Sequence, residues 1–525
     1  MTLFPFKTAV FPTLTLAITL SFMAMVSSCG QSQSKELAQK EPQSTDTPPT
    51  LSAQIDSLMK TYAAYGRFNG SVLVSLHGKV VYKKGFGYAN NETHIPNKSD
   101  TKFRIASITK QFTAMAIMQL VHEKKLSLTT PITTYLTDYP RKTGDSITIH
   151  HLLTHTSGIP NFTSFPNYKS VMRQENTPSS LVTLFANEPL EFSPGTPRFH
   201  YSNSNYIVLG AIIEKVTGKT YEQVIQEKIF TPLGMTNSGY EHEENKDANT
   251  ALGYDKQLNQ FLPAHYIHMS TPFAAGGLYS TAEDLFLWDQ ALYTEKLLPK
   301  SQLDQMFYPY TPYYGYGWDI DKMAIGNTSE EIKYLGHSGG INGFHTLITR
   351  FPETKNMVVL LNNTSGAPLL EITQAITGIL HNKPFSYIKQ SITTTLEQQI
   401  KKEGFETAMV WYQKTKDSSD YYHDENELNL LAYTFMETKE YGKAAAICRI
   451  NIQAFPEAFN PYDSYAEALL AMNNKHDAIE NYIQSVRLNT GNKNALRILK
   501  ELGVDTDTLL KTLCIPENNP IGIKL

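Results

Sequence analysis

Phe103-Arg104-Ile105-Ala106-Ser107-Ile108-Thr109-Lys110 opens a strong helical pattern. Ile108, Phe112, Met115, Ala116, Gln119, Leu120 and Val121 continue it as an apolar stripe at helical spacing. Serine is a preferred helix-opening residue, which places Ser107 where backbone N–H groups and the helix dipole favour negative charge. Lys110, three residues on, falls on the same face one turn away. An ordinary serine is a poor nucleophile and needs a base. A lysine desolvated by apolar neighbours can lose its proton and serve as that base. The plain alternative is a capped helix with a solvated lysine, and Ser-x-x-Lys arises by chance in most chains of this length.

Two further stretches change the balance. In Phe199-His200-Tyr201-Ser202-Asn203, ahead of a helix expected over 207–216 and closed by Gly218, Tyr201 and Asn203 form a Tyr-x-Asn element. A tyrosine beside a cationic lysine is expected to have a lowered pKa and relay protons, and an asparagine offers a donor and an acceptor to an amide. Later comes His337-Ser338-Gly339-Gly340. His337 and Ser338 are candidates for holding a substrate carboxylate or supporting the proton relay. Gly339 and Gly340 let a substrate backbone approach closely. The N–H of Gly340 with that of Ser107 is the expected oxyanion hole. Each stretch alone also fits a loop of turn formers or a glycine-rich turn before a strand.

Taken in order, Ser-x-x-Lys, Tyr-x-Asn and His-x-Gly are separated by 94 and 136 residues. This set resembles the serine β-lactamase/penicillin-binding hydrolases, in the branch of class C β-lactamases, D-alanyl-D-alanine carboxypeptidases and esterases. His151-Leu152-Leu153-Thr154-His155-Thr156-Ser157-Gly158, Thr231-Pro232-Leu233-Gly234-Met235 and Gly276-Gly277-Leu278-Tyr279-Ser280-Thr281 also look family-like and are taken as architecture. A capping box, Ser280 with Glu283, is expected before the helix bearing Trp288. The resemblance covers about residues 52–380. It implies an α+β fold: an antiparallel sheet flanked by helices, with an all-helical part inserted. It implies acyl transfer with Ser107, Lys110 and Tyr201 as catalytic residues and Asn203, His337, Ser338, Gly339 and Gly340 at the substrate. No metal or organic cofactor is expected. One departure matters: dedicated class C β-lactamases begin the third motif with lysine, where this chain has His337. A neutral imidazole holds a carboxylate less strongly, which shifts the reading toward an esterase or D-peptidase.

The strand pattern agrees. Residues 71–76 and 79–82 flank His77-Gly78, a hairpin signal, and 346–351 and 357–361 flank a second turn. Strands near both ends of this region predict one sheet built from both. A short helix is expected over 52–65, and the loops at 161–180 and 237–268 are expected to shape the pocket.

The chain has 525 residues, enough for two or three domains. A formal charge of −4 from 46 basic and 50 acidic residues gives no case for nucleic acid. No Cys-x-x-Cys pair occurs, and no zinc site is expected. Lys7 precedes an apolar run over residues 9–26, which ends in Val26-Ser27-Ser28-Cys29. This reads as a signal peptide over 1–28 with a lipobox-like end, lipidation at Cys29, and a polar, proline-bearing tether over 29–50. The expected setting is a bacterial cell envelope, with the hydrolase domain over 51–385 held to a membrane by the lipid. Cys29, Cys448 and Cys514 are the only cysteines, so at most one disulfide remains.

Residues 386–525 change character. Leu428, Leu431, Ala432, Phe435, Ala444 and Pro456 recur 34 residues later as Tyr462, Tyr465, Ala466, Leu469, Ala478 and Thr490. The two sets, about 425–458 and 459–492, resemble tetratricopeptide repeats, with helices around 391–416 and 493–512 completing the stack. Such repeats are either a groove for a protein partner or a structural cap. The rival to an enzyme acting on a small-molecule or peptide substrate is therefore a penicillin-binding-type sensor, which acylates without efficient turnover and reports through the repeats.

Overall fold

The structure is a computed structural model that describes residues 50–242, 244 and 246–513. The predicted signal, Cys29 and nearly all of the tether lie outside the described residues, as does Cys514. Among the described residues, no helix is long and apolar enough to cross a membrane.

Six strands form the central antiparallel sheet: β1 Gly70–Leu76, β2 Lys79–Phe86, β3 Asp319–Ala324, β4 Glu331–Ile341, β5 Phe344–Phe351 and β6 Asn356–Asn362. Their order is β3-β4-β5-β6-β1-β2, so the first hairpin joins the last one through β1 and β6, with Leu73 opposite Val359. His77 and Gly78 take φ of 51° and 74°, the left-handed pair that suits a two-residue hairpin. Alternate side chains of β1 and β6 point to opposite faces of the sheet, and both faces are buried. Leu73, Val359 and Leu361 point into one core, and Val72, Val74, Val358 and Leu360 into the other.

The second of these cores is covered by α1 Leu51–Ala64, through Ile55, Leu58 and Met59, and by a later helix, Leu369–Leu380, through Ile372 and Ile376. The first core is larger and contains α2 Thr109–His122. Sequence periodicity suggests a one-sided stripe, yet α2 is buried on every side from Thr109 to Leu120. Several of its polar groups find partners inside: Gln111 Oε1 accepts from the Trp288 indole at 3.0 Å, and Thr113 Oγ1 donates to the Ala274 carbonyl at 2.7 Å. The expected helix after Tyr201 is α3 Asn203–Thr217, ended by Gly218 at φ 69°. The helix bearing Trp288, Ala282–Ala291, is capped one residue later than expected. Thr281 accepts the Asp284 N–H, while the Ser280 hydroxyl is paired with Ser238.

From residue 392 to 513 the chain is almost wholly helical. Glu425–Glu437 and Tyr441–Ala454 form one helical pair, and Phe459–Ala471 with Lys475–Leu488 repeats it 34 residues on. Ala432 and its counterpart Ala466, and Ala444 and its counterpart Ala478, are buried where these helices meet. Helices Ile392–Glu403 and Phe405–Thr415 precede the pairs, and Lys493–Glu501 and Thr506–Leu513 follow them. Cys448 is a free thiol inside this packing, and burial pushes it up to about 12.

Candidate active site

Ser107 sits in a single 3-10 turn, Ala106–Ile108, that runs into α2. It does not cap the helix with its side chain, contrary to the sequence expectation, and its hydroxyl is left for chemistry. A helix start leaves N–H groups without internal partners, and Ser107 carries one of them. The residue before it, Ala106, holds φ at 46°, a left-handed conformation that costs an L-residue about 1–2 kcal/mol. That strain is held from outside. The Ile105 carbonyl accepts from Thr346 Oγ1 at 3.1 Å, and β4 packs directly on the turn. A Cβ at Gly339 would lie 2.3 Å from the Ile105 oxygen, so the glycine there admits the protein's own turn rather than a substrate. At Gly340 a Cβ would meet nothing within 4 Å.

Lys110 has no exposed surface. Its Nζ lies 3.0 Å from Ser107 Oγ, 2.9 Å from Asn203 Oδ1 and 2.7 Å from the Ala275 carbonyl oxygen. Burial drives its pKa well below the ordinary lysine value, with the negative charge of Asp319 opposing the shift. As a neutral amine, Nζ has two N–H bonds for Asn203 and Ala275, neither of which can donate to it at those atoms. Its lone pair then faces the Ser107 hydroxyl, which is the geometry of a general base.

Tyr201 lies with its ring 4.9 Å from Lys110 Nζ. Its pKa is raised, not lowered as the sequence suggests: burial dominates, and a hydrogen bond with Ser107 only offsets it in part. Burial disfavours a charge on Lys110 as well, so the cation that the sequence places beside Tyr201 is not favoured there. Tyr201 is thus a phenol, suited to giving a proton. Beneath it lies His155, its ring 4.4 Å away. His155 Nδ1 accepts the Ser202 N–H at 3.2 Å, and burial keeps the ring neutral.

The third element divides. His337 is buried, and both ring nitrogens are engaged: Nδ1 donates to the Ser338 carbonyl at 2.6 Å, and Nε2 accepts from Tyr314 Oη at 3.0 Å. Burial lowers its pKa, so it is a neutral neighbour of Tyr201, 6.1 Å between rings, with no nitrogen turned to a carboxylate. Ser338 is exposed, and Gly339 is spent on packing. Gly340 lines the cavity of about 300 Å³ that opens at Ser107, together with Asn203, Phe162, Tyr168, Ile267 and Ile341. The loops at 161–180 and 237–268 therefore do shape it. None of the residues lining this cavity is Lys, Arg or His.

Asp319 and His155 are members of the site that sequence reasoning missed as chemistry. Asp319 opens β3 opposite Gly336, and its carboxyl is raised by burial while His337 and Lys110 pull it down. No motif marks it, because strand register alone brings it near. His155 does carry a signal in the sequence: with His151 it makes a His-x-x-x-His pair, the spacing of a helical metal site. The helix Ile149–Leu153 ends between them, and His155 turns at φ 57° toward Tyr201, while His151 Nδ1 accepts the Thr148 N–H. Among the described residues, the one grouping close enough to hold an ion is the exposed trio His476, Asp477 and Glu480, in the carboxy-terminal helices.

Comparison with known proteins agrees with this geometry. A family model described as "Beta-lactamase" matches residues 55–378. The putative penicillin-binding protein PbpX of Bacillus subtilis (strain 168) is 32% identical over 324 residues, covering 62% of this chain and 76% of its own. Among solved structures, a penicillin binding protein from Bacillus halodurans superposes with a TM-score of 0.54 at 33% identity, covering 61% of this chain and 98% of that one. The D-amino acid amidase from Ochrobactrum anthropi SV3, complexed with L-phenylalanine amide, gives 0.55 at 27% identity, covering 63% and 99%. With a strained serine turn, a fully buried lysine 3.0 Å from the serine hydroxyl and the family model spanning more than half its length, this chain belongs to the beta-lactamase family.

Proposed function

We propose that the protein is a serine hydrolase that forms an acyl-enzyme on esters or amides that carry no carboxylate and have an apolar group beside the scissile bond. The observation that carries this is Lys110 Nζ, fully buried, held by Asn203 and Ala275 and 3.0 Å from Ser107 Oγ. Ser107 Oγ bonds to the carbonyl carbon as its proton passes to Lys110 Nζ. The N–H groups of Ser107 and Gly340 take the oxyanion. On collapse the carbonyl–leaving-group bond breaks, the Tyr201 hydroxyl protonates the departing oxygen or nitrogen, and the Lys110 ammonium returns its proton to Tyr201. Water then bonds to the acyl carbonyl carbon as its proton passes to the same base, the bond to Ser107 Oγ breaks, Oγ regains that proton, and the acid leaves.

The substrate class follows from the cavity wall. Phe162, Tyr168, Ile267 and Ile341 favour an aromatic or aliphatic group, and no lining cation is present to hold a carboxylate. Kinship in fold with an amidase crystallised with phenylalanine amide supports the same class. We also read Cys29 as the lipid attachment that holds the enzyme at a bacterial envelope membrane, and the 34-residue helical pairs as tetratricopeptide-like.

The test is labelling by a fluorescent fluorophosphonate, with turnover of p-nitrophenyl esters and aromatic D-amino-acid amides. Wild type is expected to label and turn over, and Ser107→Ala to do neither. Labelling that survives Ser107→Ala removes the assignment. Stoichiometric labelling without turnover favours the sensor reading.

A further inference from the structure

The hairpin Tyr254–Gln257 and Gln260–Pro263 reaches out of the hydrolase core into the carboxy-terminal helices. Its tip residue Leu258 takes φ of 52°, a position where a glycine or asparagine is usual and a leucine is strained. The strain is offset by burial: Leu258 is 5% exposed and belongs to the apolar cluster of Ile392, Leu396 and Leu428. Next to it, Asn259 is fully held. Its Nδ2 donates to the Thr394 carbonyl at 2.8 Å and to Glu397 Oε2 at 2.7 Å, and its Oδ1 accepts from Gln398 Nε2 at 2.9 Å. A cavity of about 400 Å³ runs along the same seam, lined by Lys256, Asn259, Phe261 and Gln398, so part of the hairpin's flank faces space.

The other end of the hairpin is the pocket wall. Ala264 N–H donates back to the Gly253 carbonyl at 2.9 Å. One residue on, the His265 carbonyl accepts from Asn342 Nδ2 at 2.8 Å, and Asn342 lines the cavity at Ser107. Ile267, four residues past the strand end, lines the same cavity.

We propose that the carboxy-terminal helices are part of the substrate site: by gripping Leu258 and Asn259 they hold the hairpin that sets the Ile267–Asn342 wall, making these two tip residues and Glu397 positioning residues for the apolar group of the substrate. This rests on the hydrolase reading above. The side-chain hydrogen bonds of Lys110 and of Asn342 go to other groups than each other, so the grip governs fit rather than proton transfer.

The experiment uses the full chain with Leu258→Gly, which relaxes the turn and deletes the anchor, and Glu397→Ala, with Glu397→Gln as the conservative control. Amide hydrogen exchange and KM are measured for p-nitrophenyl esters of increasing acyl length. In Leu258→Gly and Glu397→Ala, residues 264–268 are expected to exchange faster. KM for aromatic and long-chain esters is expected to rise about tenfold, the scale of a small misplacement in a site. Fluorophosphonate labelling of Ser107 and kcat for acetyl ester are expected to stay within about twofold, and Glu397→Gln to restore both readouts. Wild-type exchange at 264–268 in both variants overturns the proposal. So does a KM unchanged across the series. A wild-type protein that neither labels nor turns over fails the hydrolase reading instead, and exchange alone then decides whether the grip exists.

Discussion

Lys110 Nζ and Ser107 Oγ lie 3.0 Å apart, and the amine has no water-facing surface. Solvation, not spacing, makes this pair reactive. The same Ser-x-x-Lys on an exposed helix would hold an ammonium ion that cannot accept a proton.

Lys110→Ala is expected to lower kcat/KM by about 10²–10⁴-fold, the range for losing a positioned base. Lys110→Arg is expected to do no better, since a guanidinium keeps its charge even when buried. Ester turnover by both variants checks this.

The pH dependence has a definite sign. The reactive form of Lys110 is the free amine, present above its lowered pKa, so kcat/KM falls as pH falls through that value. Asp319 favours the ammonium and holds the pKa up. Asp319→Asn is therefore expected to move the acid limb to lower pH. His337, Tyr201, Tyr206 and Tyr314 also feel Asp319. The pH profile of each of Asp319→Asn and His337→Gln separates their contributions.

Tyr201→Phe is expected to cost far more with amides than with p-nitrophenyl esters. An amine must leave protonated, whereas p-nitrophenolate leaves without help. The ratio of the two kcat values measures it, with an expected drop of about 10²-fold or more for amides.

Gly339→Ala places a Cβ 2.3 Å from the Ile105 carbonyl and 3.2 Å from Ala106 Cβ. The serine turn must shift, with an expected loss of about 10²-fold in labelling rate while the helical circular dichroism is kept. Gly340→Ala meets nothing within 4 Å and is expected to fold as well as wild type.

Arg350 Nε and Asp289 Oδ1 form a buried pair at 2.7 Å, with the guanidinium over the rings of Tyr293, Phe307 and Trp318. Asp289→Ala leaves a buried charge unpaired and is expected to cost about 3–5 kcal/mol in urea unfolding. Replacing both residues, Asp289→Leu with Arg350→Met, is expected to cost less, because no charge is then stranded.

Much of this was legible along the chain. The two hairpins and their joining into one sheet follow from period-two patterns at both ends of the hydrolase region. The serine, lysine, tyrosine and asparagine that meet at Nζ lie in two local motifs. What those motifs mislead about is charge. The Tyr-x-Asn motif implies a tyrosine next to a cation, yet burial raises Tyr201 and lowers Lys110, and burial is a property of the packed core. The His-x-Gly motif implies a substrate contact at His337, yet Tyr314 and the Ser338 carbonyl already take both of its nitrogens.

By itself the sequence determined the order of elements, the family resemblance and the residues whose chemistry is required, because side-chain type and local period are written into the chain. Only the tertiary structure decided which of those residues have their charge disfavoured by burial, which glycine faces the cavity, and that the hairpin tipped by Leu258 runs between the pocket wall and the carboxy-terminal helices. Each of these depends on what a group is buried against, and those neighbours lie tens to hundreds of residues away in the chain.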